Sequence, residues 1–201
     1  NTDAKFSPAK ITIKRNMKTL QVQNVNGSIR FYENNKLHRE DGPAVIHDNG
    51  TKLWYINGMQ HRTDGPAMIS HSGDTSWYIN DMLHREDGPA RETVEGYKSW
   101  HINGVLHRED GPAVIKEDGT HYWYVNGKLH RIDGPAIIKA DGTKYWYIYG
   151  VRLTEQECIL YNTGKSIQEA QLESDEIQYF INHKPCDETT YMQYIERLKT
   201  Q

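Results

Sequence analysis

The sequence predicts a mainly β fold: an elongated, single-layer antiparallel meander, or solenoid, of 23-residue hairpin repeats, capped by short C-terminal helices. The first observation behind this prediction is a 23-residue unit that recurs five times from about residue 37 to residue 150, without an insertion. The second is that turn signals separate two short β-prone runs in every copy. The composition agrees, because 13 tyrosines, five tryptophans and 16 glycines suit a thin, turn-rich sheet.

Three sets of positions mark the repeat, and we expect all of them to be structural. The recurring aromatic residues are Phe31, Trp54, Trp77, Trp100, Trp123 and Trp146. The recurring histidines, each followed by an arginine, are His38, His61, His84, His107 and His130. The aspartates that open an Asp-Gly-Pro-Ala segment are Asp41, Asp64, Asp87, Asp110 and Asp133.

The fourth copy illustrates the predicted elements in order. Residues 112–116 and residues 121–125 are β-prone runs, and residues 117–120 between them have turn composition. Asn126 and Gly127 then form a strong hairpin signal, because both central positions of such a turn need positive φ. The copy is therefore predicted to contribute two antiparallel strands to the meander.

The chain is expected to fall into three parts. Residues 1–16 are a basic N-terminal segment, interpreted as a leader, a strand or a remnant of an expression vector. Residues 17–150 are the five-repeat β array with an N-terminal half repeat, and residues 151–201 are an α+β C-terminal cap. In the cap, Thr154 and Glu157 form a predicted capping box for a helix through Tyr161.

Further elements are predicted at the two ends of the chain. Residues 11–13 are compatible with one strand, and residues 177–181 resemble one more repeat strand. Gly164 is the predicted stop of the first helix of the cap, and Asp187 is the predicted N-cap of a final helix. Met17 stands where the repeat-related pattern begins, so it is a candidate natural start.

Composition restricts the cellular location. No apolar run approaches the roughly 18 residues that a membrane span needs, and the first twenty residues lack the apolar stretch of a signal peptide. Cys158 and Cys186 are the only cysteines, which suits a reducing compartment, although a single disulfide stays open. We therefore expect a cytoplasmic protein, or one of the host cytoplasm if the chain is viral.

The repeated histidine, arginine and aspartate do not predict a catalytic or metal site. An active site needs one convergent constellation, whereas this set occurs five times. Histidines in successive copies should lie about 10 Å apart, too far to surround one zinc ion. We expect each arginine or histidine to pair with an aspartate of the same or the next copy. No catalytic residue, metal or cofactor is predicted, and an enzyme is not expected.

The residues that follow the aromatic positions should point to the opposite face of the sheet. We expect the recurring aromatic residues, here called the aromatic ladder, to lie on the core face. The second row, here called the tyrosine stripe, is expected on the exposed face, where it forms the partner-binding surface. The tyrosine stripe consists of Tyr32, Tyr55, Tyr78, His101, Tyr124 and Tyr147. Nucleic acid is not the expected partner, because residues 17–150 contain 15 basic and 17 acidic side chains.

The stretch from Trp123 to His130, Trp-Tyr-Val-Asn-Gly-Lys-Leu-His, resembles the MORN (membrane occupation and recognition nexus) repeat. That resemblance implies long single-layer sheets of hairpins. The pattern Trp-Tyr-x-Asn-Gly-x-x-His-Arg-x-Asp-Gly-Pro-Ala is also similar to repeat proteins of tailed bacteriophages and large viruses. This second resemblance implies a scaffold for protein contacts, with a host protein as the target.

Three functional hypotheses follow. The first is a non-enzymatic repeat scaffold that binds a macromolecular partner, as a phage protein that inhibits or redirects a host defence protein. The second is a structural or assembly component that oligomerises. The third is a small-ligand sponge, for a nucleotide, with a pocket where the sheet meets the C-terminal helices.

Overall fold

The computed structural model describes residues 10–15, 18–163, 179–181, 184–186 and 193. Within these residues the chain is mainly β, with hairpins in an antiparallel meander and one described helix of nine residues, which confirms the predicted fold class. Residues 1–107 and 114–117 form one compact unit, and residues 108–113 and 118–201 form a second.

The strands before the first full copy are the longest. They are β1 (Lys10–Arg15), β2 (Lys18–Val25), β3 (Ser28–Glu33) and β4 (Lys36–Leu37). β1 contains residues 11–13, so the strand predicted there is confirmed. β1 pairs with β2 and β2 pairs with β3, both antiparallel.

In the copies that follow, four two-residue strands occur in place of the two longer strands that the sequence predicts. The next eight strands are β5 (Val45–Ile46), β6 (Lys52–Leu53), β7 (Tyr55–Ile56), β8 (Met59–Gln60), β9 (Met68–Ile69), β10 (Thr75–Ser76), β11 (Tyr78–Ile79) and β12 (Met82–Leu83). The eight after them are β13 (Arg91–Glu92), β14 (Lys98–Ser99), β15 (His101–Ile102), β16 (Val105–Leu106), β17 (Val114–Ile115), β18 (His121–Tyr122), β19 (Tyr124–Val125) and β20 (Lys128–Leu129).

The second predicted strand is interrupted at the aromatic residue because the backbone bonds there lead to two different partners. Trp54 N donates to Ala67 O over 2.8 Å, whereas Trp54 O accepts from His61 N at 3.2 Å. Residues before the aromatic position join the meander, as β6 does with β5 and β9. Residues after it pair with the hairpin return, as β7 does with β8.

The first unit therefore has two sets of hairpins. Its meander runs in the order β1-β2-β3-β5-β6-β9-β10-β13-β14-β17. The other set, here called the hairpin row, consists of β3–β4, β7–β8, β11–β12 and β15–β16. Backbone bonds in both directions join successive hairpins of this row; for example, Gly58 N donates to Leu37 O over 2.8 Å and Arg39 N to Tyr55 O over 3.0 Å.

The tight turns of the hairpins have the predicted geometry. Asn57 and Gly58 have φ of 53° and 88°, so both central positions lie in the left-handed region. Asn80 and Asp81 adopt the same conformation with φ of 50° and 65°, although Asp81 stands where glycine is usual. The Asn-Gly signal thus identified the hairpins correctly.

The second unit ends the meander. Its strands follow the order β18-β21-β22-β23, and α1 follows β23. The remaining elements are β21 (Ile137–Ile138), β22 (Lys144–Ile148), β23 (Val151–Leu153), α1 (Glu155–Thr163), β24 (Tyr179–Ile181) and β25 (Lys184–Cys186). Of the strand expected at residues 177–181, residues 179–181 are described and form β24, which pairs with β25. The helix predicted from Asp187 and the stop predicted at Gly164 lie outside the described residues.

The predicted capping box of α1 is confirmed. Thr154 N donates to Glu157 Oε2 over 2.6 Å, and Glu157 N donates to Thr154 Oγ1 over 3.2 Å. These reciprocal bonds satisfy amides that the first turn of a helix leaves without partners. In the part of the chain described, no helix is both long enough and apolar enough to cross a membrane.

The core differs from the expectation. Every residue of the aromatic ladder is half-buried, so the ladder is not the most deeply buried apolar position. Among the recurring positions, the alanines of the Asp-Gly-Pro-Ala segments are fully buried, and all have 0% exposure: Ala44, Ala67, Ala90, Ala113 and Ala136. The carbonyl of the same alanine accepts the amide of the aromatic residue, as Ala67 does for Trp54.

Candidate binding surfaces

The recurring arginine lies over the recurring aromatic ring. The guanidinium carbon of Arg62 is 4.3 Å from the centroid of the Trp54 ring, and that of Arg85 is 3.9 Å from the Trp77 ring. The same guanidinium donates from Nε to an aspartate two residues later; Arg85 reaches Asp87 Oδ1 at 2.7 Å. Sequence reasoning missed the stacking, because it requires the aromatic residue and the arginine eight residues later to meet across a hairpin.

A glycine closes the other side of each guanidinium. A Cβ added at Gly88 would lie 2.8 Å from Cζ of Arg85, closer than side chains approach one another. Gly65 shows the same relation to Arg62, at 2.9 Å. The arginine is therefore held between a ring and a glycine, an arrangement that we call the arginine sandwich.

The predicted pairing of arginine with aspartate in the same copy is confirmed. The Arg39 guanidinium lowers the pKa of the Asp41 carboxyl, first through a hydrogen bond and then through its charge. The Asp41 side chain is 84% exposed, so the ion pair adds little stability and mainly fixes the arginine in place. The recurring aspartates are thus engaged within the scaffold.

The recurring histidine binds the next tight turn. His38 Nδ1 accepts the backbone N–H of Asn57 at 3.0 Å, and His130 Nδ1 accepts that of Tyr149 at 3.2 Å. This bond needs Nδ1 without a proton, so a neutral ring carries its proton on Nε2. Burial lowers the pKa of His130, which favours the neutral form. Among the described residues, no group of three or more His, Cys, Asp or Glu side chains could hold a metal.

The tyrosine stripe is half-buried, where the sequence led us to expect exposure. In the hairpin row Tyr55 pairs directly with Gln60, and Tyr78 with Leu83. Burial raises the pKa of the Tyr55 hydroxyl, in agreement with its partly covered position. His101 replaces tyrosine in the stripe, and its ring contacts Ser99 Oγ at 3.1 Å. The stripe is therefore less accessible than a contact surface built of exposed tyrosines.

The opposite face of the hairpin row exposes apolar side chains. Directly paired residues share a face, and the pairs on this face are Ile56–Met59, Ile79–Met82 and Ile102–Val105. Met59, Met82 and Val105 have exposures of 38%, 42% and 44%. We call these three residues, which occupy the same position of successive copies, the apolar row. Their 23-residue spacing is visible in the sequence, but the strand register is needed to show that they share one face.

A second candidate site lies in the second unit, where β22 and β23 meet the start of α1. It is a cleft of about 690 Å³. Its walls are formed by Lys144, Tyr145, Trp146, Gly150, Val151, Arg152, Leu153, Thr154, Glu155 and Glu157. This is the junction at which the sequence suggested a small-ligand pocket.

Comparisons with known proteins leave the geometry as the basis for a functional argument. A scan against protein-family models found no match, and a search of the curated proteins found none that is similar. The apolar row and the cleft are therefore assessed by their own chemistry.

Proposed function

We propose that the chain is a non-enzymatic repeat scaffold that binds another protein through the apolar row. The observation that carries this proposal is the exposure of Met59, Met82 and Val105 at one position of three successive copies. Exposed apolar residues at one position of successive copies form a candidate contact surface, whereas single exposed apolar residues need no explanation.

The equivalent positions of the flanking copies support this function. Lys36 and Lys128 stand where the apolar row has methionine or valine, so the fold accepts a charged residue at this position. Both lysines are exposed, as expected for a side chain that only meets solvent. The apolar choice in the central copies is therefore not required by packing, and contact with a partner explains it.

The scaffold presents the apolar row on an ordered backbone. Bonds between successive hairpins, such as Asp81 N to Gln60 O at 2.9 Å, hold the three side chains in register. A preorganised surface loses less conformational entropy on binding than a flexible one. Methionine adds adaptable, polarisable contact area to that surface.

A protein is the favoured partner class. Nucleic acid is disfavoured because residues 17–150 are nearly neutral, with 15 basic and 17 acidic side chains. The similarity of the repeat to phage-encoded proteins supports a host protein as the target. Inhibition or redirection of a host defence protein in the host cytoplasm is the role that follows from this proposal.

Lysine substitution tests the surface with an internal precedent for folding. The variant M59K/M82K/V105K places lysine at three positions of the repeat where two other copies already have lysine, Lys36 and Lys128. It should therefore stay folded. We expect capture of the partner from bacterial lysate to fall at least about tenfold, because three lysines desolvate poorly in an apolar contact. Val94→Lys, at a 60% exposed residue outside the apolar row, is the matched control and should retain capture.

The tyrosine stripe is tested in the same assay. Tyr55, Tyr78 and Tyr124 are replaced by histidine, the residue that the third copy carries at this position as His101. Undiminished capture by this variant, with loss in M59K/M82K/V105K, assigns binding to the apolar row. The reverse result would return the contact to the stripe, and equal capture by all variants would refute the proposed surface.

An assembly role is the second candidate function, and one observation favours it. β1 stands at the end of the strand order and has β2 as its only neighbour among the described strands. A strand edge of this kind can pair with another chain. Mass measurement in solution separates the candidates, because a monomer at working concentration argues against assembly through β1.

A further inference from the structure

The second unit contains one aromatic residue of the ladder that lacks its arginine. In other copies the guanidinium carbon of an arginine lies 3.9 to 4.3 Å from the ring centroid of the aromatic residue eight positions earlier. The residue eight positions after Trp146 is Thr154. Within the described residues, no arginine or lysine covers the Trp146 ring.

Trp146 is nevertheless fixed in position. It packs against the buried cluster of Ile148, Leu153 and Cys158, which anchors α1. It also lines the cleft of about 690 Å³, together with Thr154. Thr154, which stands at the sequence position of the recurring arginine, therefore lines the same cleft as Trp146.

The cleft also contains negatively charged side chains with which an arginine can form an ion pair. Glu155 and Glu157 line it beside Trp146. Glu157 uses one oxygen in the capping box, whereas Glu155 is exposed and makes no ion pair with the described residues. In the arginine sandwiches a carboxylate of the same chain makes the ion pair; for example, Arg131 Nε lies 2.7 Å from Asp133 Oδ1.

The two cations of the cleft are on Lys144 and Arg152. The guanidinium carbon of Arg152 is 4.9 Å from the centroid of the Tyr145 ring, where Lys139 also approaches at 5.1 Å. Tyr145 and Trp146 are neighbours in β22, so their side chains point to opposite faces of the strand. The cation of Arg152 is therefore directed to Tyr145. Lys144 shares the face of Trp146, but no cation–π contact to the Trp146 ring is found among the described residues.

We propose that this cleft binds the guanidinium group of an arginine side chain from another peptide or protein. The group stacks on Trp146 and forms an ion pair with Glu155. The planar guanidinium fits an indole face better than the ammonium of lysine does. Because Lys144 and Arg152 line the same cleft as the two carboxylates, a phosphate-containing ligand is the alternative that the test must separate. The inference does not depend on the apolar row, which lies in the other unit.

The test follows the indole N–H signals of the five tryptophans by two-dimensional NMR in the full chain. The Trp146 signal is assigned with Trp146→Phe, which has a precedent in Phe31 beneath Arg39. The probe is N-acetyl-arginine amide, and the comparison probe is N-acetyl-lysine amide. We expect saturable shifts of the Trp146 signal alone, with the lysine compound binding at least about fivefold more weakly.

Two variants complete the experiment. Glu155→Gln removes the free carboxylate and should weaken arginine binding about two- to fivefold without changing the fold. Arg131→Ala exposes the Trp123 ring, whose signal should then respond to the same probe. No saturable shift at Trp146, equal shifts of all five signals, or unchanged binding in Glu155→Gln would overturn the proposal. Tighter binding of adenosine monophosphate than of the arginine compound would overturn it in favour of a nucleotide.

Discussion

The arginine sandwich explains several recurring residues of the sequence at once. The guanidinium needs a flat ring on one side, a carboxylate at its Nε and a position without a side chain on the other side. Trp77, Asp87 and Gly88 meet these needs around Arg85. The glycine of the Asp-Gly-Pro-Ala segment thus leaves room for the guanidinium, and its φ lies outside the left-handed region.

The close approach of Gly88 to Arg85 predicts that substitutions at these two positions have non-additive effects on the free energy of unfolding. Gly88→Ala should lower the free energy of unfolding by up to about 1 kcal/mol, because the new Cβ displaces the Arg85 guanidinium from its ring and its carboxylate. In an Arg85→Ala background the same substitution should cost at least about 0.5 kcal/mol less, because the obstacle is gone. Urea unfolding of the two single variants and the double variant measures this difference.

Gly96 provides the matched control. A Cβ there meets nothing within 4 Å, and its φ of +103° makes any cost a matter of backbone strain. The effects of Gly96→Ala and Arg85→Ala should therefore add. If the effects of Gly88→Ala and Arg85→Ala were also additive, the close approach of Gly88 to Arg85 would not explain the glycine at this position.

His130 predicts a dependence of stability on pH. Its pKa is lowered below the usual 6.5 by burial, so protonation opposes the folded state. The contribution of neutral His130 to the free energy of unfolding is complete above about pH 6.5, the pKa of histidine in the unfolded chain. This contribution is lost as the pH falls through the lower pKa of the folded state. The variant His130→Asn keeps an acceptor for Tyr149 N–H but does not titrate. Urea unfolding at pH 7.5 and 5.0 should show a smaller acid loss for this variant than for the unchanged chain.

At the scale of the elements, α1 depends on its first turn. Thr154→Ala removes the acceptor of Glu157 N and should cost about 1 kcal/mol. Hydrogen exchange of the amides of residues 155–158 should accelerate together, because Cys158 joins α1 to the buried cluster. Gln156→Ala is the control, since Gln156 is exposed and is not part of the capping box. Equal acceleration in both variants would contradict the role of Thr154.

The sequence predicted those elements whose causes are local. The turn at Asn57 and Gly58 and the box of Thr154 and Glu157 involve neighbours in sequence, and both are present. The interruption of the strand at Trp123 was missed because its amide donates to Ala136 O, a partner outside the local pattern. Alternation along residues 121–125 contains no sign of that bond.

The candidate site was less predictable for the same reason. The accessibility of Tyr55 depends on how its hairpin is covered, and the sequence led us to expect an exposed side chain where the structure has a half-buried one. The exposure of Met59 and the missing arginine above Trp146 depend on which residues meet in space. Both could be recognised only by comparing equivalent positions after the hairpins were known.

At the scale of the molecule, the buried apolar positions are spread evenly along the copies. Each alanine of the Asp-Gly-Pro-Ala segments is fully buried, and the buried cluster found among the described residues, Ile148, Leu153 and Cys158, lies at the end of the array. Stability in such an array is the sum of similar small contributions from each repeat. Similar substitutions in different copies should therefore have similar effects.

Ala67→Val and Ala90→Val test this distribution. Each adds volume at a position with 0% exposure and should cost about 1–3 kcal/mol through overpacking. The two costs should agree within about 1 kcal/mol in urea unfolding, since both sites lie under equivalent backbone bonds. Ala140→Val, at an exposed alanine, should be nearly neutral. A large cost at one alanine and none at the other would instead indicate a localised core.

The compactness of the arginine sandwich along the chain has an evolutionary consequence. Its ring, cation and glycine lie between Trp54 and Gly65, within a single 23-residue period. An in-frame duplication or deletion of one period therefore transfers the whole arrangement and leaves no orphaned partner. We expect genes for such chains to change length by recombination between copies without separating these partners, so surface variation such as Met59 against Lys36 can accumulate copy by copy.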